Sequence, residues 1–398
     1  MKILIAEDER VSRRLLQSRL EKWGYEVTAA EDGRQAWEIF QEQHFPMVIS
    51  DWMMPNMDGL ELLRRIRSSE RPGYVYTILL TARSEKEDIL AGMDSGADDF
   101  IAKPFDKDEL LARLKVGRRI TDLERDLAQR NHELQKINQR MSRDLQAAAK
   151  IQQSLLPTKL PECEAFNFAW KYVPCDELAG DTLNLFFLDE AHLGLYLLDV
   201  SGHGVTAALL SVNLSRILTP NPQQSDLLKE AGPGKNGYRL VSPEDVADRL
   251  NQRFPLDSST EQYFTIQYGC LDLGKRELTY ISAGHPPMIH LPATGPGRAL
   301  QVKSLPIGFM VGVGKIYREQ KLTLAPGDRL YFYSDGIIEA MNNERQQFGV
   351  ERLIKTLEEL LPLSLNESLE QLSIRIDQWT AGAGCGDDFS ILAVEGKV

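Results

Sequence analysis

The first hundred residues alternate short apolar runs with amphipathic stretches. KILIA (2–6), YEVTAA (25–30), MVIS (47–50), YTILL (76–80) and DDFIA (98–102) have the length and composition of buried strands. Between them VSRRLLQSRLEKWG, GRQAWEIFQEQ, GLELLRRIRSS, EDILAGMDSG and KDELLARLK repeat apolar positions every three or four residues, which predicts helices. Gly24 and Gly96 stand where helix C-caps are expected. Five strand–helix repeats predict an α/β doubly wound, parallel five-stranded domain over 1–118, with its site at the carboxyl ends of the strands.

The pattern then changes. No proline or glycine interrupts the run from Arg118 to Leu156, and apolar residues fall at 120, 123, 127, 134, 137, 141, 148, 151 and 155. That spacing predicts a long helical linker with a coiled-coil seam over 119–156, and with it a homodimer. Arg130 occupies a seam position and Leu145 is out of phase, so the seam is imperfect.

From 157 to 398 the period shortens to two. HLGLYLLDV, YFTIQYGCLDL, ELTYISAG, DRLYFYSDG and DFSILAVEG read as strands, with a hairpin turn at Gly274. Helices are expected at 204–218, 243–253, 349–361 and 367–379, the second with Ser242 as N-cap and Pro243 at its first position. The proline-, glycine- and polar-rich segment 219–241 reads as a mobile surface loop. The whole predicts an α+β sandwich of antiparallel sheets flanked by helices.

Composition narrows the function. With 46 Lys and Arg against 58 Asp and Glu the chain carries a formal −12, which disfavours nucleic acid and anionic membrane as partners. Residues 113–144 are locally basic, nine Lys/Arg against five Asp/Glu, but the signs are interspersed as on the flanks of a helical seam. No apolar run reaches the roughly 18–20 residues needed to span a bilayer, and the N-terminus turns acidic after five residues, unlike a signal peptide. Cys163, Cys175, Cys270 and Cys385 form no CxxC pair and read as free thiols, mostly small buried hydrophobes, in a cytoplasmic protein.

Chemistry collects at strand ends. Glu7 and Asp8 follow the first strand, Asp51 the third, Thr81 the fourth and Lys103 the fifth. Three carboxylates on one edge repel one another unless a cation joins them, and Mg²⁺ suits such oxygen donors. A phosphoryl group on Asp51 would find that ion, the Lys103 ammonium and the Thr81 hydroxyl. The acidic pair, SDWMMPNMDG, LLTA and KPF together resemble a response-regulator receiver domain. The resemblance implies that Asp51 accepts phosphate from a histidine kinase or phosphotransfer protein. It further implies that Glu7, Asp8, Asp51 and the Met53 carbonyl bind Mg²⁺, and that Thr81 and Phe100 form a switch pair.

In the last stretch Asp181, Asp199, Asp335 and the pair Asp387–Asp388 each adjoin an apolar strand and a glycine or tight turn. Buried carboxylates are costly alone, and oxygen-only donors favour Mg²⁺ or Mn²⁺ over zinc. The runs QQSLLP, AGD, LDVSGHGVTAALLS, ISAGHPP, LPIG, PGDRLYFYSDGIIEA and GDDFSILAV resemble a PPM-type (protein phosphatase 2C) Ser/Thr phosphatase of the SpoIIE/RsbU branch. The resemblance implies two Mn²⁺ or Mg²⁺ ions. Asp199 would bridge them beside the Val200 carbonyl, Asp335 and Asp387 would bind the second, and Asp181 would reach them through water. It implies attack on phosphoserine or phosphothreonine by metal-activated water, and a phosphorylated STAS-type anti-anti-sigma protein as substrate in a partner-switching pathway. Where the family commonly shows GGDxxD this chain has AGDTLN, with Ala179 and Asn184.

Some assignments stay open in the sequence. Asp387 and Asp388 are not separable, with Asp387 preferred as ligand and Asp388 as its support. His203 is either a general acid or a structural part of its glycine-rich turn; His285, followed by two prolines, reads as structural. The rival to a regulated phosphatase is a non-catalytic, phosphorylation-dependent adaptor that binds a sigma factor or another regulator. Retention of the four carboxylates argues against it.

Overall fold

The computed structural model describes residues 1–69, 73–82, 94–202, 204–232, 237–256, 262–309, 315–382 and 386–398. The chain forms two compact units, Met1–Arg140 and Met141–Val398.

In the first unit β1 (Lys2–Ala6), β2 (Glu26–Ala30), β3 (Met47–Asp51), β4 (Tyr76–Thr81) and β5 (Asp99–Ala102) form one parallel sheet in the order β2-β1-β3-β4-β5. Its inner strands β1, β3 and β4 are buried along most of their length because both faces are covered. Ile3, Ile5, Ile49 and Ile78 pack on one side with Leu16 and Leu20 of α1 (Arg10–Lys22). On the other side Leu4, Ala6 and Val48 meet Ala36 and Phe40 of α2 (Gly33–Glu42) and Leu62 of α3 (Gly59–Ser68). Asp32 and Asp58 cap α2 and α3 by accepting from the backbone N–H of Gln35 and Glu61. The helix expected at 87–96 lies mostly outside the described residues.

α4 (Lys107–Gln153) is one helix of 47 residues. The expected last helix of the first domain and the expected linker are therefore continuous, and Gly117 ends nothing. A Cβ on Gly117 would stand 2.4 Å from the Tyr76 ring and 2.5 Å from the Met47 methyl. The glycine serves close packing on the sheet rather than helix termination. Leu110 and Leu114 are fully buried there, whereas residues 122–141 are exposed throughout, the seam residues Leu123, Leu127, Leu134 and Ile137 included.

After the end of α4 the second unit continues as β6 (Phe166–Val173), β7 (Thr182–Phe187), β8 (His192–Val200), α5 (Val205–Ile217), β9 (Lys229–Ala231), β10 (Tyr238–Leu240), α6 (Pro243–Arg253), β11 (Phe264–Asp272), β12 (Glu277–Ala283), β13 (Met288–Leu291), β14 (Arg298–Leu300), β15 (Gln320–Thr323), β16 (Arg329–Tyr333), α7 (Asp335–Glu339), α8 (Val350–Glu359), α9 (Leu365–Trp379) and β17 (Phe389–Gly396). Two antiparallel five-stranded sheets result, β15-β12-β11-β8-β7 and β14-β13-β16-β17-β6. Alternation in β8 shows how they stack. Leu193, Leu195 and Leu197 join Phe332, Leu392 and Val394 of the other sheet in a shared core. The intervening Tyr196, Leu198 and Val200 face Ala207 and Leu214 of α5 and Val246 and Leu250 of α6. In β17, Ile391 and Ala393 likewise face Leu353 of α8 and Leu369 of α9. Helices thus cover the outer face of each sheet.

Segment 219–241 departs from expectation. β9 and β10 pair as a hairpin, and Leu227 and Leu228 just before it are fully buried in the core under α5 and α6. Two adjacent leucines among prolines and polar residues have no period, so the sequence hides this anchor. Among the described residues no helix is long and apolar enough to cross a membrane.

Candidate functional site

At the carboxyl edge of the parallel sheet, carboxylate oxygens of Glu7, Asp8 and Asp51 all lie within 4.8 Å of one another. Glu7 is 2% exposed while Asp8 faces solvent. The Lys103 ammonium donates to Glu7 Oε2 at 2.6 Å and to Asp51 Oδ2 at 2.7 Å. Burial raises the Glu7 pKa; Lys103 opposes the rise and the Asp51 charge adds to it. β3 delivers Asp51 as its last residue, and a Cβ on Gly59 would sit 2.1 Å from the Asp51 carbonyl, so only glycine lets α3 begin there. Thr81 closes β4 and is buried. Phe100, in β5, packs against the cluster of Trp52, Leu63 and Leu79. Met53 stands two residues past Asp51 with an exposed side chain. Three converging carboxylates with one lysine between them leave excess negative charge, a donor set that fits a hard divalent cation.

The second site forms where four strand ends of the sandwich meet. Asp199 is the penultimate residue of β8, on the side of Leu197 and Leu195 that faces the other sheet. Thr182 of β7 pairs with Leu198, so Asp181 stands opposite Asp199 when the register is continued by one residue. From the second sheet, β16 leads into Asp335 at the start of α7, and Asp387 and Asp388 immediately precede β17, the strand paired with β16. Two close approaches hold the turns together. A Cβ on Gly180 would lie 2.7 Å from the Val200 carbonyl, and one on Gly336 would lie 2.2 Å from the Asp388 carbonyl.

These carboxylates feel one another. The pKa of Asp199 is raised to about 8, by burial first and then by the charges of Asp335, Asp387 and Asp388. Asp335 rises to about 6 through burial and Asp387. Asp181, 2% exposed, is raised well above the carboxylate range by burial and by Asp199 and Asp388. Its Oδ2 is buried without a hydrogen-bond partner among the described residues. An orphaned carboxylate oxygen amid like charges fits a site that takes up divalent cations.

Asp387 and Asp388 separate here. Asp387 is exposed. Asp388 is 4% exposed and accepts three backbone N–H groups, Cys175 to Oδ1 at 2.9 Å and Gly180 and Asp181 to Oδ2 at 2.9 and 3.3 Å. Cys175 is exposed, contrary to the reading of the cysteines as buried, and lies within 4.8 Å of both aspartates. Partial desolvation of its sulfur and then the Asp388 charge push the thiol up to about 12, so it remains protonated. Asn184 faces away from Asp181, toward the helix side of β7, and its amide donates to the Leu155 carbonyl at 3.5 Å. His203 lies outside the described residues.

Two further side chains bear on this edge. His285 is buried; its two ring nitrogens meet Thr265 Oγ1 at 2.6 Å and the Tyr333 carbonyl at 3.1 Å. Thr265 is the cross-strand partner of Asp199, and Tyr333 is two residues before Asp335, so the ring joins the two sheets beside the acidic edge. Gln152, in the QQSLLP run, is 7% exposed and bonded to Ala179 and Ser211.

Comparison with known proteins gives a matching picture. A family model described as Stage II sporulation protein E (SpoIIE) matches residues 189–397, and one described as response regulator receiver domain matches residues 3–115. The phosphate regulon transcriptional regulatory protein PhoB of Pseudomonas aeruginosa is 40% identical over 119 residues, covering 30% of this chain and 52% of that protein. The probable transcriptional regulator ycf27 of Porphyridium aerugineum is 42% identical over 120 residues, covering 30% of this chain and 49% of that protein. The chain spans about half the length of the curated relatives it matches. Among solved structures, the SiaA-PP2C domain of Pseudomonas aeruginosa aligns with a TM-score of 0.53 at 19% identity, covering 65% of this chain and 98% of that one, a likeness of fold.

Proposed function

Because the chain belongs to the Stage II sporulation protein E family and carries a response-regulator receiver domain ahead of that region, we propose that it is a metal-dependent phosphoserine/phosphothreonine protein phosphatase controlled by phosphorylation of Asp51. The observation that carries the reading is the convergence of Asp181, Asp199, Asp335 and Asp387 at one edge of the sandwich, with Asp181 Oδ2 buried and unpartnered among the described residues. An adaptor would gain nothing from keeping this cost.

Asp199 with the Val200 carbonyl, Asp335 and Asp387 would hold two Mn²⁺ or Mg²⁺ ions, with Asp181 behind them. Bound there, the cations supply an activated water and neutralise phosphoryl charge. The chain's own residues do the rest. Asp388 clamps the turn that presents Asp181, and Gly180 and Gly336 let the surrounding backbone close in. In the receiver, Glu7, Asp8, Asp51 and the Met53 carbonyl would hold one Mg²⁺. Lys103 would meet a phosphoryl group on Asp51, and Thr81 with Phe100 would form the switch.

The organisation we infer is a receiver over 1–118, a helical linker over 119–156 and a phosphatase over 157–398, in a cytoplasmic homodimer paired through the exposed seam of α4. A histidine kinase or phosphotransfer protein would supply the phosphoryl group, and a phosphorylated STAS-type protein of a partner-switching pathway would be the substrate. The test is Mn²⁺-dependent hydrolysis of p-nitrophenyl phosphate and of candidate STAS phosphoproteins, with and without beryllofluoride on the receiver. Activity is expected, changed by beryllofluoride and abolished by Asp199→Asn. No hydrolysis with any divalent metal would return the adaptor reading.

A further inference from the structure

The last turn of α4 places one buried side chain against the acidic edge. Gln152 Nε2 donates to the Ala179 carbonyl at 2.6 Å and to Ser211 Oγ at 2.9 Å, while its Oε1 accepts from the Ala179 N–H at 3.2 Å. Every polar atom of the carboxamide is used, and Gln152, Ala179 and Ser211 are all buried. The pairing with Ala179 mimics a strand: one residue has both its N–H and its C=O bound by a side chain.

The two segments it grips both belong to the cation site. Ala179 is followed by Gly180, which packs on the Val200 carbonyl, and by Asp181 with its unpartnered Oδ2. Ser211 sits in α5, the helix that begins at Val205 soon after Asp199 and Val200, and Ser211 Oγ in turn donates to the Ala208 carbonyl at 3.0 Å. Nearby, the Leu155 carbonyl accepts from Asn184 of β7. A helix turns about 100° per residue, so a register shift of one residue in α4 withdraws the amide from both partners.

We propose that Gln152 is a positioning residue for the metal site: its carboxamide is the contact through which the end of α4 sets the Asp181 turn and the start of α5. The proposal rests on the reading of Asp181 and Asp199 as cation-site carboxylates. It adds a specific residue by which the helical linker would act on that site. Outer contacts of this kind tune metal affinity without touching the ion.

The test uses the full chain and Mn²⁺ alone as probe, with Asp8→Asn and Asp51→Asn in every protein compared, the parent included, so that the receiver carboxylates do not take up the probe. Gln152→Met keeps the volume and removes all three hydrogen bonds. Gln152→Glu keeps the acceptor for the Ala179 N–H and loses the donors. Ser211→Ala trims one bond and serves if the Met variant fails to fold. Calorimetric Mn²⁺ affinity is expected to fall about 10-fold or more in the Met variant and less in the other two, the range seen for such outer contacts. At saturating Mn²⁺ the kcat for p-nitrophenyl phosphate should return toward that of the parent, while the half-saturating Mn²⁺ concentration stays raised. Parent-like Mn²⁺ affinity in folded Gln152→Met, or in both other variants should it not fold, would overturn the proposal. If the parent binds Mn²⁺ but hydrolyses nothing, the phosphatase reading fails and the affinity comparison still decides the role of Gln152. A parent that binds no Mn²⁺ overturns both.

Discussion

Asp388 and Gly180 meet through a 2.9 Å hydrogen bond, the Gly180 N–H donating to Asp388 Oδ2 across 208 positions of sequence. The same carboxylate takes two more N–H groups, whereas its neighbour Asp387 is exposed. The two aspartates should therefore fail differently. Asp388→Ala strands buried donors and is expected to cost about 3 kcal/mol of stability. Asp387→Ala should leave the denaturation midpoint near that of the parent while removing Mn²⁺-dependent hydrolysis. Urea melts and rate measurements on both variants check the division.

In the receiver, Lys103→Met leaves the buried Glu7 carboxylate facing Asp51 with no ammonium between them. Breaking such a pair is expected to cost about 3 kcal/mol, at the low end for buried ion pairs because Lys103 is partly exposed. Added Mg²⁺ should restore part of the loss, since a cation can replace the lost charge. Chemical denaturation with and without Mg²⁺ measures both effects.

His285 gives a pH dependence of known sign. Burial lowers its pKa to about 3 from an ordinary 6.5, so the folded protein keeps the ring neutral where the unfolded chain protonates. Its stabilising contribution is complete above pH 6.5 and is lost as pH falls toward 3. By pH 5 the loss is about 2 kcal/mol. His285→Gln should flatten that part of the curve relative to the parent, by thermal melts in steps between pH 7 and 5. An equal slope in both proteins would mean that the ring is charged in the fold.

The exposed face of α4 makes a prediction about assembly. Leu127, Leu134, Ile137 and Met141 are each more than half exposed, in a helix that continues into the second unit. Leu134→Glu is expected to convert a dimer to a monomer in sedimentation velocity, without lowering the stability of either compact unit. A parent that is already monomeric at high concentration would remove the seam from the mechanism.

Strands buried on both faces were the easiest elements to foresee. β8 runs His192–Val200, the residues its apolar run marked, because both faces are covered from Leu193 to Leu198. The acidic residues singled out in the second half come together because four of those strands end at one edge. Gln152 was not legible as a contact. In a helical pattern a glutamine reads as polar surface, and its partners are 27 and 59 residues away with no periodicity to announce them. Gly117 is a second contact of this kind: the Tyr76 ring across the sheet accounts for a glycine inside the helix, and no periodicity in the sequence announces it. Leu227 and Leu228 were hidden by their proline-rich surroundings, which describe the chain around the anchor and not the anchor itself.

The exposure of residues 122–141 also sets how firmly α4 is held along its length. Most helical stability in proteins comes from packing of an apolar face, which this stretch lacks within one chain. Amide hydrogens near Leu110 and Leu114, and again near Gln152, should exchange slowly, at rates governed by unfolding of the packed units. Those between should exchange quickly in dilute solution and slow as the protein is concentrated. Local opening of the connector is then a concentration-linked equilibrium, and one helix carries three distinct foldons.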